Sequence, residues 1–76
     1  MPNKAKDQAR LKVFGANIRR ARLSKGITQE KLAELADITT RNLQKVEAGG
    51  LNILVTTAMR IQRGLRVPWK NLMTRL

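Results

Sequence analysis

Few residues in this chain are equipped for acid–base or covalent chemistry. Its carboxylates are Asp7, Glu30, Glu34, Asp37 and Glu47, and it contains no histidine and no cysteine. The missing histidine removes the commonest general base and the commonest zinc ligand. The missing cysteine removes both a disulfide framework and a thiolate metal site. Most of the five acids read as structural, so the expectation is a protein that is not an enzyme and holds no cofactor and no metal. Charge is the chemistry that remains. Sixteen Lys and Arg against five acids give a formal charge of +11, a large excess for 76 residues. Such an excess favours a polyanionic partner, most often nucleic acid.

The charge is unevenly spread. Lys4, Lys6, Arg10, Lys12, Arg19, Arg20, Arg22 and Lys25 precede residue 28 with only Asp7 against them. Residues 28–47 set Lys31, Arg41 and Lys45 against four acids, and residues 48–76 carry Arg60, Arg63, Arg66, Lys70 and Arg75 with none. A nearly neutral centre between basic flanks suits backbone attraction from the flanks and sequence reading from the middle.

That centre, Ile27 to Gly49, reads as two short helices separated by a tight turn. Thr28 precedes Gln29–Ala36 and Thr39 precedes Thr40–Glu47. A threonine hydroxyl at an N-cap satisfies N–H groups that the helix leaves unpaired. Two capped helices this close form the arrangement in which one helix braces another in the DNA major groove.

The remaining elements must position that pair. Residues 1–7 read as a basic, flexible N-terminal tail whose Asp7 would cap the first helix, and residues 8–76 as one domain. Leu11, Phe14, Ile18 and Ala21 recur at helical spacing, and Gly26 suits the end of that helix. The second helix should bury Leu32, Leu35 and Ala36, with Ile38 plugging the turn, and the third should bury Leu43 and Val46. A fourth helix runs from about Asn52 or Leu54 to Leu65, with Val55, Ala58, Met59, Ile61 and Leu65 as its apolar face. Pro68 opens a last short helix carrying Trp69, Leu72, Met73 and Leu76. There is no strand alternation and no repeat, so the fold class is all-α, five helices on one core. No apolar run approaches membrane-spanning length and the start lacks the apolar stretch of a secretory signal, so a cytoplasmic location without membrane association is expected.

Taken in order, these residues resemble the Cro/C1-type helix-turn-helix regulators, the XRE family. Phe14-Gly15, Ile18-Arg19, Arg22, Gly26 and Thr28-Gln29-Glu30-x-Leu32-Ala33 fit the first half of its pattern. Ile38, Leu43, Val46-Glu47-x-Gly49 and Asn52 fit the middle, and Ile61, Leu65, Val67 and Leu72 the end. Departures fall at Ile53, Leu54, Gln62 and Gly64. The resemblance implies a compact lambda-repressor-like domain in which Gln29–Ala36 braces and Thr40–Glu47 recognises DNA. It implies base contacts from Thr40, Arg41, Gln44 and Lys45, with phosphate contacts from Gln29, Thr39 and Asn52. It also implies an ion pair between Arg22 and Glu47. The last segment, with Pro68, Trp69 and Met73, corresponds to a two-fold dimer contact in several members.

The resulting expectation is a sequence-specific double-stranded-DNA-binding regulator. It would be a small repressor that binds a pseudo-palindromic operator as a homodimer and has no small-molecule effector. A controller protein of a restriction–modification system is a close variant that could also activate. The alternative is an antitoxin or other protein-interaction module on the same fold, although only five to ten residues flank the domain to wrap a partner. RNA or non-specific binding fits less well, because stacking platforms need aromatics and only Phe14 and Trp69 are present.

Overall fold

The computed structural model describes residues 4–76. Five helices follow in order: α1 (Lys4–Ser24), α2 (Gln29–Ala36), α3 (Thr40–Glu47), α4 (Val55–Leu65) and α5 (Trp69–Met73). No strand occurs among the described residues. α2 packs on α4 and α3, while α1 packs against α3 and α5.

The helix ends follow from local chemistry. α1, α2 and α3 close in one pattern, with a residue one or two positions past the helix turned into the left-handed region. Gly26 (φ +69°), Asp37 (φ +54°) and Gly49 (φ +78°) hold that position. In each case two backbone bonds complete the cap: Ile27 N–H donates to Arg22 O and Gly26 N–H to Leu23 O, Ile38 N–H to Ala33 O and Asp37 N–H to Glu34 O, Gly50 N–H to Lys45 O and Gly49 N–H to Val46 O. This is the Schellman arrangement, which satisfies carbonyls the helix leaves open. α4 ends with Arg66 left-handed at φ +56° and a single N–H bond from Arg66 to Gln62 O, 3.0 Å.

The core gathers Ile18 and Ala21 of α1, Leu32, Ala33 and Ala36 of α2, Leu43 and Val46 of α3, Ile61 and Leu65 of α4, and Val67 and Leu72. Phe14, Ile27, Ile38, Leu51 and Ile53 pack around its edge. Two close approaches set the helix positions. Gly15 of α1 lies directly against Val46 O and Glu47 O, leaving no space for a Cβ. A Cβ on Gly64 would stand 3.1 Å from Leu35 Cβ and 3.2 Å from Leu32 Cδ1, so the departure at Gly64 marks where α4 nears α2. Gln62, a second departure, donates from Nε2 to Val67 O at 2.7 Å and ties α4 to the segment that leads into α5.

Several expectations require correction. α1 begins at Lys4, so residues 4–7 are helical and Asp7 lies in the first turn, 3.5 Å from Arg10, and is not a cap. Residues 1–3 of the expected tail lie outside the described residues. Leu35 is 47% exposed, and Ala33 is buried on α2 in its stead. α4 starts at Val55, just past the expected Asn52 or Leu54, because Leu54 is its N-cap with extended backbone (φ −66°, ψ 150°) and makes no side-chain cap bond of its own. Val55 is 76% exposed and Met59 is exposed too, so only Ile61 and Leu65 of that face reach the core. Pro68 is the N-cap of α5 and not its first residue.

Candidate nucleic-acid interface

The two threonines that open α2 and α3 act as caps. Thr28 Oγ1 accepts from Lys31 N–H and Thr39 Oγ1 from Asn42 N–H, both at 3.0 Å. The left-handed Asp37 turns the chain between them, and Ile38 holds the angle by packing on the core.

α3 divides into two faces. Leu43, Val46 and Glu47 are buried, whereas Arg41, Gln44 and Lys45 are exposed and Thr40 is half-buried. Arg41 and Lys45 are one helical turn apart on the same face. Among the described residues neither side chain makes a hydrogen bond or ion pair with protein. Four donor-bearing side chains therefore line one outward strip of a helix held rigidly from behind.

The support behind that strip is a buried polar network. Arg22 Nε donates to Glu47 Oε2 at 2.7 Å, and Arg22 Nη2 donates to Glu47 Oε1 at 3.1 Å. The Glu47 side chain is only 3% exposed. Arg22 Nη1 also donates to Ile27 O, so the pair joins α1, the loop before α2 and the end of α3. A bidentate pair of this kind fixes geometry more surely than it adds stability. Gln29, first residue of α2, extends the network. Its Nε2 donates to Glu47 Oε1 at 3.1 Å, and its Oε1 accepts from Gln44 Nε2 at 3.4 Å.

Two open depressions flank α3. One, near the N-terminus of the helix, is lined by Asp37, Thr39, Asn42, Asn52 and Arg60. It brings Asn52, from the loop after α3, to the same place as Thr39. Arg60 is committed there to Ala36 O, 2.9 Å from its Nε, and so completes the end of α2. The other depression is lined by Arg19, Thr28, Gln29, Gln44 and Glu30. Arg19 thus joins the helix-turn-helix, while its neighbour Arg20 turns to Asn17 Oδ1 and the groove beside α5. Arg60 does not stand out in the sequence, where it is one basic residue among sixteen, and Arg19 falls within the family pattern but carries no mark there of facing DNA.

The residues expected at a dimer contact are gathered elsewhere. Pro68, Trp69 and Met73 are exposed at α5. Trp69 and Met73 line an apolar cleft of about 290 Å³ with Phe14, Val55 and Leu76.

A sequence profile of the helix-turn-helix family matches residues 18–72, more than half of the chain. The chain belongs to the Cro/C1-type helix-turn-helix family. This helix-turn-helix protein is also similar to a solved structure, the restriction-modification controller protein C.AhdI from Aeromonas hydrophila. The two share 30% identity with a TM-score of 0.80, over 84% of this chain and 97% of that one. No match is found among curated protein sequences. Family and fold together make the protein a DNA-binding transcriptional regulator. Among the described residues, no helix is long and apolar enough to cross a membrane.

Proposed function

We propose that the protein represses transcription by binding a pseudo-palindromic operator as a homodimer, with α3 in the major groove. The observation that carries the reading is the outward strip of α3, where Arg41 and Lys45 are exposed and unengaged in front of the buried Arg22–Glu47 pair. Arg41 and Lys45 bond guanine O6 and N7, and the Thr40 methyl meets a thymine methyl. Gln44 completes the base contacts. Gln29 has a second N–H to offer a phosphate at the start of α2, and Thr39 and Asn52 flank the start of α3 in the same way.

Dimerisation is supported by the apolar side chains left uncovered at α5 and beside it. Trp69, Met73, Leu76 and Val55 are all exposed large hydrophobics. Pro68, Trp69 and Met73 would meet their counterparts across a two-fold axis, which sets two α3 helices about one DNA turn apart. The likeness to a restriction-modification controller favours a second reading, in which the same operator binding controls such a system and also activates.

Selection of bound sequences from a random duplex pool at near-physiological salt tests the proposal. A recurring two-fold motif with half-site centres about 10 bp apart is the expected result. A pool left unenriched contradicts it.

A further inference from the structure

The hydrogen-bond chain behind α3 has a direction, and Glu47 sets it. An ionised carboxylate has lone pairs and no proton to give, so any group facing it must donate. Glu47 Oε2 is taken by Arg22 Nε at 2.7 Å, and Oε1 is shared by Arg22 Nη2 and Gln29 Nε2, both at 3.1 Å. Gln29 is thereby obliged to turn its NH₂ toward Glu47. Its amide is planar, with the carbonyl oxygen on the other branch, and that oxygen faces Gln44 Nε2 at 3.4 Å. An acceptor there obliges Gln44 in turn to point its NH₂ at Gln29. The Gln44 carbonyl oxygen is then the free end of the chain, on an exposed residue of the reading strip.

We propose that Glu47 acts through Gln29 as a positioning residue for Gln44, so that Gln44 offers its oxygen to the major groove and selects a base with an exocyclic amino group. The proposal rests on the DNA-reading role given to α3 above. Adenine N6 and cytosine N4 are the donors that the major groove exposes; guanine O6 and thymine O4 are acceptors. Thr40, Arg41 and Lys45 all bring donors to the strip, and the Gln44 oxygen is the acceptor there whose orientation this hydrogen-bond chain fixes. An unrestrained glutamine turns over freely and discriminates less. With the chain intact, that turn would set two acceptors against each other at Gln29 and Gln44, or leave Glu47 facing a carbonyl oxygen. The remaining N–H of Gln44 is still available to adenine N7.

The test uses the selected operator and binding measured by fluorescence anisotropy. Gln44→Ala first identifies the operator position whose preference it abolishes. At that position the amino group is then deleted, with purine replacing adenine or pyrimidin-2-one replacing cytosine. The wild-type protein should lose about fivefold or more in affinity on the deleted duplex, and Gln44→Ala should lose almost nothing. In Gln29→Ala the penalty for deletion should shrink by at least about threefold. Glu47→Gln, assayed at a temperature where circular dichroism shows it folded, should shrink it as well. If Gln29 also bonds a phosphate, removing that bond weakens binding to both duplexes alike and leaves their ratio unchanged, so the ratio reports orientation alone. A penalty undiminished in Gln29→Ala overturns the proposal, as does a wild type indifferent to the amino group. If an operator is found but Gln44→Ala alters no position, this inference fails while the DNA-reading role stands. If no operator is enriched, that role fails and takes the inference with it.

Discussion

Asn17 of α1 donates from Nδ2 to Leu72 O and to Thr74 O, each at 2.9 Å, and so clasps the last turn of the chain to the first helix. Asn17 is buried, and its Oδ1 accepts from Arg20 Nη1 at 2.9 Å, so every branch of the amide is used. Replacing it with alanine strips a donor from two carbonyls at the end of α5. The expected cost of Asn17→Ala is about 1–3 kcal/mol. Thermal unfolding should show a lowered Tm, and Trp69 fluorescence should shift as α5 loosens. An unchanged Tm would mean that the Asn17 bonds add nothing net to the packing of Val67 and Leu72.

Gly15→Ala tests the contact that sets α3 against α1. A Cβ at Gly15 would meet the backbone oxygens of Val46 and Glu47, which belong to a helix and cannot swing aside as a flexible side chain would. The helices must part instead, at a cost of about 1–3 kcal/mol or more. Denaturant unfolding should report the loss. Operator binding should weaken beyond what the unfolded fraction explains, because α3 itself is displaced.

Glu47→Ala should be more damaging. It leaves the guanidinium of Arg22, nearly as buried as the carboxylate, with Ile27 O as its remaining partner. Breaking a buried pair from one side costs about 3–5 kcal/mol, a large part of the stability of a small domain. Glu34→Ala, which removes an exposed contact to Lys31, is the contrast and should leave the Tm almost unmoved. Equal Tm values for the two variants would count against the pair as a structural joint.

Arg66 offers a change in the opposite direction. It occupies a left-handed cap at φ +56°, where a side chain is costly and glycine is not. Its carbonyl receives Lys25 Nζ at 3.5 Å, a contact that any residue at this position retains. Arg66→Gly should stabilise the protein by about 1 kcal/mol, read as a higher denaturation midpoint. A lower midpoint would show that the arginine side chain contributes through a contact of its own.

The residues legible in the sequence are those whose partners are close along the chain. Thr28 and Thr39 cap residues three positions on, and Gly26 and Gly49 close helices that end beside them. Such interactions are written into spacing. Depth of burial is not. Periodicity places Leu35 and Val55 on apolar faces, but whether a neighbour covers them depends on where other helices land, and here both stay exposed. The start of α1 is hidden for a related reason: Lys4, Lys6 and Asp7 are charged and Ala5 alone makes no apolar stripe, yet they continue a helix anchored further on. Asn17 and Gly15 do carry signals, an amide and a glycine in mid-helix, but their partners lie at α5 and on α3. The Gln29–Glu47 bond spans 18 positions and becomes visible only in three dimensions.

The most direct test of the central claim is to repeat the duplex selection with Arg41→Ala. If α3 reads bases, the enriched motif should lose its preference at one position of each half-site and keep the rest. Affinity for the original operator should fall by about 1–3 kcal/mol. An unchanged motif, bound more weakly at every sequence alike and with a shallower salt dependence, would make Arg41 a phosphate contact and contradict the account.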